Sequence, residues 1–214
     1  MLHEGIRAGV YYVGVDLAWG ISGMTGLAAV DQHGELTQVT CARTDGEIRA
    51  FLAPLVAGPS LTAIDAPIVV RNATGSRLCE KLIGRYFGSY GASCHSTNTA
   101  NRAFADGGRA LRLAAALGLD IDPDSASQRR AIEVYPHPAI LALFDLPSIL
   151  RYKAKRGRDL EMRRAELLRL LALIGSLEDD QGRSPVWAAA TWSRRSPRSE
   201  RFSLCLRTCP QATR

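Results

Sequence analysis

The chain has 214 residues, of which 46% are hydrophobic and 22% charged, values that exclude a wholly disordered or collagen-like polypeptide and suit one domain with a modest insertion. The formal charge of +6 is uneven: residues 183–214 hold seven of the 27 bases and one of the 21 acids, Glu200, which leaves 20 of each sign before them. A neutral body with a basic end excludes any inference from global charge to what the body binds.

Val10 to Val15 is a continuous apolar run, as for a strand buried on both faces. Thr25 to Val30 and Leu36 to Cys41 are predicted as further strands, joined through Asp31–Gly34 as a meander. Thr44 and Glu47 have capping-box spacing, and Ile48, Phe51, Leu52 and Leu55 follow with helical period, distorted at Pro54. A fourth strand is expected at Leu61 to Asp65. Helices are expected near Ser76–Phe87 and Gly108–Leu117, separated by a polar loop from Gly88 to Arg102.

Arg130 to Tyr135 reads as a fifth strand, and Pro138 as the first turn of a short helix reaching Phe144. The basic link Arg151–Arg158 precedes a helix with Leu160, Leu167, Leu168, Leu171 and Ile174 on one face and Gly175 as its stop. The resulting order defines an α/β fold, with a domain over 1–182 and a helical insertion over about 68–128. The tail from 183 to 214, rich in Arg, Ser and Pro, is expected to be irregular.

Five cysteines (41, 79, 94, 205 and 209) form no C-x-x-C pair, and the start lacks a basic region followed by an apolar one. With no apolar run near the ~18–20 residues of a membrane span, the expectation is a reducing cytoplasm and no membrane partner.

Three apolar strands carry an acid at or near the C-terminal end: Asp16, Asp65 and Glu133. Burying an ionised carboxylate is costly unless it is paired or binds a cation, and in open α/β sheets ligands bind at the carboxyl ends of strands. No lysine or arginine sits beside these acids in sequence, so a shared Mg²⁺ or Mn²⁺ is expected, with Asp16, Asp65 and Glu133 as ligands. The bland alternative is that each acid is solvated or caps a helix.

Weaker candidates are Asn98 and Asn101, as substrate contacts or turn formers, and Lys153, Lys155, Arg156 and Arg158, as phosphate contacts or a solvated link. His137 suits a helix start, and Cys79, Cys94 and His95 match no standard zinc spacing. No Walker loop, G-x-G-x-x-G or G-x-S-x-G occurs.

The segments Val13–Gly20 (VGVDLAWG), Ala63–Pro67 (AIDAP) and Ile132–Pro138 (IEVYPHP), together with Tyr152–Gly157, resemble a family of predicted nucleases with a ribonuclease H-like fold, the domain of unknown function 429. The resemblance runs from about Tyr11 to Leu177. It implies a central mixed five-stranded sheet of order 3-2-1-4-5 flanked by helices, with Asp16, Asp65 and Glu133 at the family's acidic positions. It also implies a final helix with a further acid, which nothing after Leu177 matches; the basic tail stands in its place.

The expected function is divalent-metal-dependent phosphodiester hydrolysis of nucleic acid, impaired by the atypical end. The alternatives are an inactive nucleic-acid- or protein-binding relic and an actin-like or sugar-kinase phosphotransferase, which would need two such lobes.

Overall fold

Buried residues at alternate positions build the first, second and fourth strands, and all five strands come in the expected order. The computed structural model describes residues 9–20, 23–153 and 156–177. Its strands are β1 (Tyr11–Asp16), β2 (Thr25–Val30), β3 (Leu36–Ala42), β4 (Ser60–Ile64) and β5 (Arg129–Glu133), in one five-stranded sheet of order β3-β2-β1-β4-β5. The first three strands pair antiparallel across short turns, while β1 with β4 and β4 with β5 run parallel. Parallel neighbours need a long return path, and the intervening helices provide it.

The helices are α1 (Asp45–Leu55), α2 (Leu78–Phe87), α3 (Gly108–Ala116), α4 (Pro136–Leu143) and α5 (Leu160–Gly175). The described residues group into two units, one of residues 9–78 and 95–135, the other of 79–94 and 136–177. The insertion expected over 68–128 is therefore divided, α2 falling almost wholly in the second unit and α3 in the first.

In the first unit, Val13, Val15, Leu27, Ala29, Ile64 and Ala131 form one face of the sheet. Ile48, Leu52 and Leu55 of α1 and Ala110, Leu113 and Ala114 of α3 pack in the same core. Each large aliphatic side chain removed from water here contributes about 1.5–3 kcal/mol. The other face, with Tyr12, Gly14, Leu61 and Ala63, is only half-buried, so β1 is fully covered on one side rather than two.

The α1 capping box forms as its spacing predicts. Thr44 Oγ1 accepts from Glu47 N at 3.2 Å, and Glu47 Oε2 accepts from Thr44 N at 3.0 Å and Arg43 N at 2.8 Å. Those donors, Thr44 N first, hold the Glu47 carboxyl below the ordinary glutamate value. The helix runs through Pro54 and stops at Leu55, so the proline, which lacks the N–H that would bond back to Ala50 O, falls in the last turn and little helix follows it. Arg129 donates to Val56 O at 2.7 Å and Leu117 O at 2.6 Å, placing one cation against the C-terminal ends of α1 and α3.

In the second unit, Phe87, Leu141, Leu146 and Leu150 are buried together, with Leu170 and Leu173 of α5 packed against them. Asp159 caps α5 by accepting from Met162 N at 2.7 Å. The stripe of Leu160, Leu167, Leu168 and Leu171 is nevertheless exposed. The tail expected to be irregular (183–214) lies outside the described residues, as do Lys155 and the acids 178–180. Among the described residues no helix is long and apolar enough to cross a membrane.

Candidate functional site

Two of the three strand-end acids stand side by side. Val15 of β1 pairs in parallel register with Ile64 of β4, and the ladder continues through Asp65 N, which donates to Val15 O at 2.8 Å. Asp16 and Asp65 are thus the next residues on adjacent strands, which are separated by about 4.8 Å in a sheet. Asp16 is exposed and Asp65 half-buried. Among the described residues no lysine or arginine forms an ion pair with Asp16.

Glu133 is placed apart from the two aspartates. It pairs with Ile64, one step short of the aspartates, so strand alternation sends its side chain to the face that carries Val15 and Ile64. Asp16 follows Val15 and therefore points to the opposite face. The Glu133 carboxylate also has a counter-charge that the local sequence conceals. Arg77 Nη2 donates to its Oε1 at 2.7 Å, and Arg77 Nη1 to its Oε2 at 2.9 Å, a two-pronged pair. Ile68 N donates to Oε2 at 2.9 Å, and Arg77 Nη1 also reaches Val69 O at 3.1 Å. The pair therefore fastens the segment just after Asp65. Among the described residues no group of three or more His, Cys, Asp or Glu side chains is arranged to hold a metal ion.

The polar-loop asparagines hold the backbone. Asn98 Nδ2 donates to Gly75 O at 3.0 Å, and Asn101 Oδ1 accepts from Ala103 N at 3.0 Å. These bonds match the turn-former reading. Asn72, with its amide shared among the carbonyls of Thr74, Gly75 and Thr97, ties the same loop. Of the basic link, Lys153 is half-buried and Arg156 exposed, and Arg158 Nη1 donates to Lys153 O at 3.3 Å. Lys155 lies outside the described residues. His137 rests against Tyr152 with ring centres 5.8 Å apart, and Cys79 is buried and Cys94 half-buried.

Another arginine, this one buried and not singled out by any motif, organises the turn after Asp16. Arg109, 5% exposed, pairs through Nε with Asp45 Oδ1 at 2.7 Å. Its Nη1 donates to Ala18 O at 2.7 Å and Gly20 O at 3.0 Å, and its Nη2 to Arg43 O at 3.2 Å. Between the two anchored carbonyls stands Trp19. The only sequence signal for it was a large aromatic residue three positions beyond a strand-end acid and directly before a glycine.

A family model described as Protein of unknown function (DUF429) matches residues 14–201, from within β1 to beyond the last described residue. The match takes in Asp16, Asp65 and Glu133 and most of the basic tail. No curated protein and no solved structure matches the chain.

Proposed function

The chain belongs to the DUF429 family, and we propose that it is a divalent-cation-dependent phosphodiesterase of nuclease type whose site is the Asp16–Asp65 pair. The observation that carries this reading is the adjacency of two carboxylates at parallel strand ends, with Asp16 exposed and unpaired by any base among the described residues. The oxygen-only donor set suits Mg²⁺ or Mn²⁺, which are bound through one or two carboxylates while waters and substrate phosphate complete the shell. Arg77 holds Glu133 on the other face, so the aspartate pair, rather than all three acids, is the site proposed. When bound, the ion polarises a phosphoryl oxygen and lowers the pKa of a water.

The chain's own residues prepare that site. The bond from Asp65 N to Val15 O sets the spacing of the two acids, and the Glu133–Arg77 pair holds the Ile68–Val69 segment that follows Asp65. Carboxylates on neighbouring strands concentrate negative charge at one place, which a divalent cation can neutralise. The sheet order and strand directions agree with the ribonuclease H-like expectation, which supports a nuclease by analogy of fold alone.

Calorimetric titration with Mn²⁺, paired with cleavage assays on single-stranded RNA, single-stranded DNA and an RNA–DNA hybrid, tests the reading. Mn²⁺-dependent cleavage of at least one substrate is expected, with Asp16→Asn and Asp65→Asn each slower by at least ~100-fold, as for loss of a charge interaction with the transition state. Undiminished cleavage by Asp16→Asn sinks it. The withdrawal of Glu133 favours a second reading, a nucleic-acid binder that does not cleave, for which oligonucleotide binding without turnover is the expected result.

A further inference from the structure

We infer that Trp19 is a stacking platform for one base of a single-stranded nucleic acid, placed beside the Asp16–Asp65 pair. This rests on the function proposed above and names the form of substrate that the site takes.

Trp19 lies three residues beyond Asp16, so its Cα is within about 11 Å of the aspartate's, the reach of three extended residues. A base neighbouring a phosphate held at the acids can span that distance. The indole is 43% exposed, an unusual position for the largest apolar side chain. It is nonetheless fixed. The Phe104 ring, itself buried, stands at 77° to it with centres 5.4 Å apart, and the His95 ring at 80° with centres 6.2 Å apart. Both neighbours are nearly perpendicular to the indole, so neither stacks on it.

The backbone on either side of Trp19 is held by Arg109, which grips the carbonyls of Ala18 and Gly20. A buried guanidinium needs several acceptors to be tolerated, and two of those it finds are the carbonyls that bracket this tryptophan. An exposed aromatic residue held in one orientation is prepared for a planar ligand, because little freedom is lost when the ligand arrives.

A shallow depression lined by Leu17, Ala66, Pro67 and Phe104 adjoins the ring. Leu17 and Ala66 directly follow the two acids in sequence. Base stacking on an aromatic residue tolerates any base.

The test measures binding of the full chain to a short single-stranded oligothymidylate and to an abasic oligonucleotide of equal length, with Ca²⁺ present to slow cleavage. The base-bearing strand is expected to bind roughly 5- to 150-fold more tightly, the range for one stacked base. Trp19→Ala and Trp19→Leu should erase that preference, Trp19→Tyr should restore most of it, and binding of the abasic strand should not change. In a background with Trp187→Phe and Trp192→Phe, emission from Trp19 should be quenched by oligothymidylate and not by the abasic strand. If Trp19→Ala fails to fold, the leucine variant and the quenching measurement carry the test. Equal affinity for both strands, or a preference that survives in Trp19→Leu, overturns the platform while leaving metal-dependent cleavage intact. Failure to bind either strand overturns the platform and the nucleic-acid reading together.

Discussion

The ends of β1 and β4 and the end of β5 carry the same chemical group one register step apart, and the protein treats them in opposite ways. Asp16 and Asp65 stand at adjacent strand ends, with no basic side chain paired to Asp16 among the described residues. Glu133 is clamped by both prongs of Arg77 and by a backbone N–H. A single step of strand alternation separates these outcomes, since it turns a side chain from the outer face toward the face that carries the core. An acid at a strand end is thus an ambiguous signal, and the face it is turned to, with the partner it finds there, decides its role.

Neutralising each acid, with activity and stability read separately, distinguishes the two roles. Asp16→Asn should remove metal-dependent cleavage and leave the melting temperature nearly unchanged, because Asp16 is exposed. Glu133→Gln should do the reverse. Its pair is mostly shielded, with 11% and 18% of the two side chains exposed, so losing one partner should cost about 2–4 kcal/mol. That corresponds to a fall of several degrees in melting temperature. A double replacement, Arg77→Met with Glu133→Met, should cost less than the sum of the singles, because no lone buried charge remains. Additive losses would show that the pair is not the unit holding the segment after Asp65.

Smaller effects separate local from tertiary stabilisation. Thr44→Ala removes one half of the α1 capping box and should destabilise by about 1 kcal/mol in denaturant unfolding. The box is also sensitive to acid. The folded state holds Glu47 below its ordinary value through the N–H groups of Thr44 and Arg43. Asp120 is held low chiefly by the Ser125 hydroxyl, then by Asp122 N. A depressed carboxyl stabilises above its unfolded value and loses that contribution as pH falls through the folded one. Stability should therefore be flat near neutrality and decline below the usual carboxylate range. Thr44→Ala should lessen the decline, and a decline of unchanged size would remove Glu47 as a contributor.

The least effect is expected on α5, where Leu167→Lys should change stability by no more than about 0.5 kcal/mol, since Leu167 is exposed. A loss of several kcal/mol there would mean that this face is covered in solution.

Local chemistry made much of the fold legible. The β2 strand, the α1 capping box and the stop of α5 at Gly175 all rest on residues within a few positions of one another, and they form where the spacing places them. The aspartates were legible for the same reason, as acids ending apolar runs. The apolar stripe of α5 shows the limit of periodicity: it marks a face without saying whether anything covers it. Ile48, Leu52 and Leu55 at similar spacing in α1 are completely enclosed, because that helix lies on the sheet.

Residues close along the chain set the strands and the helix starts and stops, mark the two aspartates at strand ends, and through the family resemblance imply the strand order. Which acids meet depends on packing between distant segments. Arg77 reaches Glu133 across 56 residues and Arg109 reaches Ala18 across 91, and neither pairing leaves a mark in the residues around it. Local patterns record the free energy of neighbours along the chain. A buried charge must instead find its partner wherever the fold brings one, so its role is set by packing that no short window contains.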